Sequence, residues 1–286
     1  MSEVVVPKLA MGVGIKRDHQ GKEKGRREPG PAADHVRNAY TSMFEGFRDE
    51  LDEHHDRRMR IGKVSRDVTA LSKKIIFSLQ RVRKLSQPIP DRIQSEIDGR
   101  LKEIAELLAT IEPDVQGMNR HRYPLFCLEE FVEAVSFAHY LRRQALITLA
   151  EAQAALPAAI PLTAADYVFG VFDLTGEMMR FATAVTGLSG SMPTGEGKVG
   201  EDGDAKRTIL ADMQEVSSLL QISPIVGGKS YTYAKKLDVM IEQVRKVERL
   251  GYGVVVRGNE RPKGWIPDLN DGFTGGGDGD DVAMAD

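Results

Sequence analysis

Two stretches of this chain put acidic side chains where acids are costly. Residues 126–141 read FCLEEFVEAVSFAHYL and residues 166–185 read DYVFGVFDLTGEMMRFATAV, both apolar almost throughout. Helical positions four, seven and eleven apart share a face, which aligns Phe126, Glu130, Glu133 and Phe137 on one stripe. The same rule stacks Asp173 on Glu177, between Gly170 and Phe181. An ionised carboxylate among apolar groups needs compensation, and four that converge cannot all stay charged without a counter-charge. Oxygen-only ligands suit Mg²⁺ or Mn²⁺, with waters completing the shell. A divalent ion on a phosphodiester activates water and stabilises the leaving oxygen. The pattern therefore predicts a hydrolytic metal site on Glu130, Glu133, Asp173 and Glu177. The alternative left open here is a set of structural acids paired with Arg142, Arg143 or Arg180.

Other chemistries fit less well. A di-iron carboxylate site normally needs two Glu-x-x-His motifs, and the sequence has none. Asp52 and His55 have a suitable separation but lie in EHHDRR (53–58), which reads as a solvated surface. His139 reads as a core or interface histidine. Ser136 and Ser189 lack a nucleophile elbow, and six scattered histidines suggest no triad. The single cysteine, Cys127, sits in an apolar run, excludes an internal disulfide and reads as a small buried hydrophobe.

A second feature lies opposite the apolar stripe of the first long helix. Lys63, Arg66, Lys73, Lys74, Arg81 and Lys84 form a cationic row with few acids between them. Such a row suits a polyphosphate backbone and salt-dependent binding with little sequence preference; it also suits a plain solvated face. The net charge over 286 residues is −3, so nucleic-acid binding would need a local basic face.

These residues need helices to position them, and helical periodicity runs through the middle of the chain. Ile61, Val64, Val68, Leu71, Ile75, Leu79 and Val82 predict a helix over about 41–84, closed by SQPIP (86–90). Further helices are expected over about 91–111, 118–155, 164–186 (capped by Thr163, with Asp166 in its first turn), 205–221 and 231–250. The short connection before residue 164 predicts antiparallel packing of the two acid-bearing helices. A short VVVRG piece (254–258) follows, and GLSGSMPTGEGKVGEDGD (187–204) reads as a polar, Gly-rich loop. Leu219, Ile222, Ile225 and Val226 suggest an interface. No βαβ alternation or phosphate-binding glycine motif occurs. The expected organisation is a basic arm at 1–38, disordered, with Lys16-Arg17 and Lys22 to Arg27 as a candidate nuclear import signal; an all-α domain at 39–270; and a flexible acidic tail at 271–286. No run of about 18 apolar residues predicts a membrane span, and the expectation is a soluble, intracellular chain.

Four stretches resemble the translin family, on its translin-associated factor X branch. They are DEHHDRRMRIGKVSRDVTALSKKIIFSLQR (52–81), EEFVEAVSFAHYL (129–141), DYVFGVFDLTGEMMR (166–180) and YAKKLDVMIEQVRKVERLGYGVVVRG (233–258). With the spacing between them they cover about 41–270. The resemblance implies a seven-helix all-α bundle that co-assembles with translin into a hollow hetero-oligomer. It also implies a Mg²⁺-dependent endoribonuclease acting on single-stranded RNA, such as passenger-strand fragments or tRNA-processing products, in cytoplasm and nucleus. The branch's catalytic acids fall by motif on Glu130, Glu133, Asp173 and Glu177. A non-catalytic scaffold or RNA-binding subunit of the same complex is the alternative.

Overall fold

The computed structural model describes residues 38–199, 206–222 and 230–257. The basic arm (all but its last residue), the acidic tail, Ile225 and Val226 lie outside the described residues. The chain divides into two units, Met1–Glu53 and His54–Asp286. The described part of the first is helical from Thr41 and exposes Tyr40, Phe44 and Phe47, with the two phenyl rings edge-on at 6.0 Å.

The all-α class holds. The helices are α1 (Thr41–Leu79), α2 (Asp91–Thr110), α3 (Asn119–Arg122), α4 (Cys127–Arg143), α5 (Leu149–Ala154), α6 (Ala164–Ser189), α7 (Ile209–Ile222) and α8 (Ser230–Arg257). In the second unit the stripe Ile61, Val64, Val68, Leu71, Ile75 and Leu79 is buried, as its spacing of three and four requires. It meets Ile93, Ile97, Ile104 and Leu108 of α2 and the apolar side chains of α4 in one core. A smaller cluster joins Phe169 and Phe172 of α6 to Val216 and Leu220 of α7 and Tyr233 and Met240 of α8. Helix α6 therefore packs on two sides, which is why it reads as apolar nearly all round.

Several boundaries differ from the sequence expectations. Helix α1 stops at Leu79 rather than near residue 84. Its last turn tightens as the Val82 N–H donates to the Leu79 carbonyl (2.9 Å), which carries Val82 and Leu85 into the core. The single helix expected over 118–155 is three. Pro124 separates α3 from α4. Gln144 then turns left-handed (φ 48°) at the end of α4, and Thr148 opens α5 with a capping box to Glu151. The VVVRG piece is the last turn of α8. The expected loop at 187–204 is partly a hairpin. Gly190 (φ 71°) ends α6, and β1 (Thr194–Val199) pairs antiparallel with β2 (Lys206–Thr208). Its strands, TGEGKV and KRT, have no apolar alternation to announce them.

Helices α4 and α6 do not pack antiparallel. Arg120, before α4, donates to the Pro161 carbonyl (3.2 Å) and pairs with Asp166 in the first turn of α6. Farther along, Gly170 abuts Glu129 and Val132, while Tyr140 and Gln144 share a cavity with Leu174 and Met178. Contacts advance together along both helices, so the two run in the same direction. The segment containing α5 carries the chain back.

Candidate active site

Helix α6 begins at a well-fixed point. Thr163 accepts from the Asp166 N–H (3.2 Å), and the Asp166 carboxylate accepts in return from the Thr163 N–H (3.0 Å) while pairing with Arg120. One turn later Gly170 lets α4 approach. A Cβ there would stand 2.6 Å from Val132 Cβ and 2.8 Å from the Glu129 carbonyl oxygen, so only glycine allows this spacing. Leu128, Phe131, Phe137 and Leu141 seal α4 into the core. Each contributes roughly 1.5–3 kcal/mol by burial, enough for the helix to carry one buried acid among them.

The close approach brings Glu130 and Glu133 of α4 and Asp173 and Glu177 of α6 to the wall of one cavity of about 460 Å³. Lys73 and Phe77 of α1, Gln80 just past its end and Gln243 of α8 complete much of its lining. The convergence expected from sequence is present, although the helix directions are not those expected. Phe126 departs from the stripe as drawn: it lies at the start of α4 and is 62% exposed, whereas Phe137 is fully buried.

The four acids differ in how they are compensated. Gln80 Nε2 donates to Glu177 (2.8 Å), which also pairs with Arg180. Lys236 Nζ donates to both oxygens of Asp173 (2.7 and 2.6 Å), lies 3.7 Å from Glu129 and faces the Phe169 ring at 5.5 Å. Lys73 Nζ stands 3.8 Å from Glu130. Burial pushes the Glu130 carboxyl above its ordinary range, against the pull of Lys73. Glu133 has no hydrogen bond or ion pair with any described residue. Burial, then the charges of Glu130, Asp173 and Glu177, push its carboxyl up to about 8. At neutral pH it holds a proton unless a cation enters.

The donor set fits a hard divalent ion: four carboxylates, one of them buried and uncompensated, with no soft ligand in the cavity lining. The side chains as they stand do not form a finished cage. Among the described residues no three His, Cys, Asp or Glu side chains converge on a metal-sized point. Asp173 and Glu177 are turned toward protein donors instead. Rotation of those two carboxylates is the adjustment a metal would require.

The six cations of the expected row separate. Lys73 enters the acid cavity, and Arg81 pairs with Glu96 of α2 (2.5 Å). Arg66 faces a different groove, lined also by Lys73. Lys63, Lys74 and Lys84 are exposed, the last beyond the end of α1. Arg142 and Arg180 each have a partner, Gln94 and Glu177 respectively; Arg143 is exposed. Of the suggested interface, Leu219 and Ile222 are exposed at 50% and 80%. Cys127 is buried, and desolvation pushes its thiol up to about 11, as an inert core position requires.

Sequence reading missed Lys236 and Gln243, although a signal was there. Tyr233, Met240, Val244 and Val247 form the buried stripe of α8. Lys236 and Gln243 fall on that stripe by spacing, so a cation and an amide interrupt an apolar face much as the acids do on α4 and α6. It also missed Asp212. This side chain is buried on α7, accepts from Tyr140 Oη and Gln144 Nε2 (2.7 Å each) and pairs with Arg207.

The translin family profile matches residues 56–258. Translin-associated protein X of Rattus norvegicus is 29% identical, over 89% of this chain and 91% of its own length. The protein of the same name from Pongo abelii is 30% identical, over 79% and 82% respectively. A solved structure described as apo-NeC3PO covers 74% of this chain and 96% of its own at 17% identity and a TM-score of 0.47. The profile match takes in all four acids and the helices that carry them, and the chain belongs to the translin family.

Proposed function

We propose that this chain is the catalytic subunit of a translin-containing hetero-oligomeric endoribonuclease that hydrolyses single-stranded RNA with Mg²⁺ or Mn²⁺. The observation that carries the reading is Glu133, a buried carboxyl with three other acids around it and no described partner. Such a group raises the free energy of the fold unless a cation occupies the cavity in the working state. Glu130, Glu133, Asp173 and Glu177 would hold the ion, which when bound supplies an activated water and stabilises charge on the leaving oxygen. The chain's own contribution is positional. Glycine at 170 sets the distance between the two acid-bearing helices, Lys236 and Gln80 restrain Asp173 and Glu177, and Lys73 presents a cation at the cavity rim for an incoming phosphate.

A non-catalytic scaffold also has an observation in its favour. Three of the four acids have cationic neighbours within the chain, and the cage is not formed as the side chains stand. One experiment separates the readings. The chain is co-expressed with translin and incubated with labelled single-stranded RNA, with and without Mg²⁺, beside Glu133→Gln and Asp173→Asn. The expectation is metal-dependent cutting that falls at least about a hundredfold in both variants, with assembly and RNA binding retained. Mn²⁺ should also raise the melting temperature of the wild-type complex and not that of Glu133→Gln. Full activity in either variant overturns the site, and binding without cutting in all three proteins leaves the scaffold.

A further inference from the structure

Beside the acid cavity lies a larger groove of about 1,010 Å³, bounded by α1 and the segment leading into α4. Its polar lining is of one sign. Arg58, Arg66, Lys73 and Arg122 face it with His54 and His55, and no acidic side chain lines it among the described residues. For a chain of net charge −3 this is a marked local excess of cations. Lys73 belongs to both linings, so the basic groove and the acid cavity adjoin at that side chain.

Two phenyl rings flank the junction. Phe126 lines the basic groove and is 62% exposed, one turn before Glu130 on α4. Phe77 lines the acid cavity and is 71% exposed, one turn after Lys73 on α1. Neither ring is sealed in the core of this chain. Exposed rings spaced along a cationic path are what single-stranded nucleic acid uses, with phosphates on the cations and bases stacked on aromatic faces. A duplex would keep its bases turned inward and gain nothing from them.

We propose that this groove is the substrate track of the site. A single-stranded RNA lies along Arg58, Arg66 and Arg122, stacks one base on Phe126, passes Lys73 and delivers the next phosphate to the four acids, with Phe77 receiving a base on the far side. This assignment rests on the nuclease reading above. It also replaces the row of cations along α1 with a different set, only two of which, Arg66 and Lys73, belonged to that row.

The test is equilibrium binding of a fluorescein-labelled oligouridylate to the co-expressed complex in EDTA, where cutting is absent, over a series of salt concentrations. Phe126→Ala is expected to weaken binding about tenfold, the size of one lost base stack. Its salt slope should stay unchanged, and Phe126→Trp should restore affinity. The double variant Arg58→Gln, Arg122→Gln is expected to flatten the logarithmic salt slope by roughly one to one and a half. Wild-type affinity in Phe126→Ala together with an unchanged slope in the double variant overturns the track, as does a wild-type complex that does not bind the oligomer. Variants that dissociate the complex on gel filtration assign the groove to a protein partner and overturn it too. Binding losses as expected, in a complex that never cuts RNA with metal present, sink the nuclease reading alone.

Discussion

Glu133 and Asp212 are buried to nearly the same depth, 8% and 7% exposed, and the protein treats them in opposite ways. Asp212 is met by three donors. Tyr140 and Gln144 donate to it, Arg207 pairs with it, and Gln144 adopts a left-handed backbone to do so while also donating to the Arg207 carbonyl (3.0 Å). Burial, and then the Asp212 charge, hold the Tyr140 phenol protonated well above its ordinary range. Around Glu133 the nearest charges are mostly other acids. One site is a polar network that ties α4 to α7; the other is left short of positive charge. Equal burial thus separates an acid answered within the fold from an acid that no described residue pairs.

Three changes bear on that contrast. The largest effect belongs to Asp212→Ala, which strands two donors and a guanidinium. It should cost about 3–5 kcal/mol in denaturant unfolding, whereas Glu133→Gln in metal-free protein should stay within about 1 kcal/mol of wild type or gain stability. A comparable loss in both would erase the distinction. Next comes Gly170→Ala, whose methyl meets Val132 and the Glu129 backbone. Overpacking there should cost about 1–3 kcal/mol and lower cleavage by moving the acid pairs apart; unchanged stability and rate would show that the helix spacing is not tight. The smallest effect is one of pH. Between about 4.5 and 8 the folded chain keeps a proton on Glu133 that the unfolded chain has released. Stability of the metal-free protein should therefore fall as pH rises, by at most about 1.4 kcal/mol per unit from this group. Glu133→Gln should remove that slope, and divalent-ion affinity should climb with pH through the same window, since ligation requires the proton to leave.

Much of this was legible in the sequence, for identifiable reasons. Acids at helical spacing in apolar runs isolate Glu130, Glu133, Asp173 and Glu177, because burial is encoded by the flanking Leu, Phe and Val. Thr163 and Asp166 announce the start of α6 through local hydrogen bonding, which needs no tertiary information. The direction of α4 against α6 was not legible. It depends on Arg120 reaching Asp166 and on the return path through α5, both tertiary facts. The break of the third expected helix had local signals, Pro124 and the Thr148–Glu151 box, that the apolar periodicity masked. The cationic row failed to stay together because α1 ends before Arg81 and Lys84, so a helical projection no longer applied to them. Lys236 and Gln243 were hidden by the opposite habit, that of reading polar residues on an amphipathic helix as facing water.

The thiol of Cys127 has a practical consequence. It is the only cysteine in the chain, it is fully buried, and its protonation persists to about pH 11. Thiol-directed reagents should therefore find almost nothing to modify on the native chain near neutral pH. A cysteine placed at Phe77 or Arg122 would then be the sole reactive handle on this subunit. Fluorophores or spin labels attached there would test the proposed RNA track without a competing thiol on this chain.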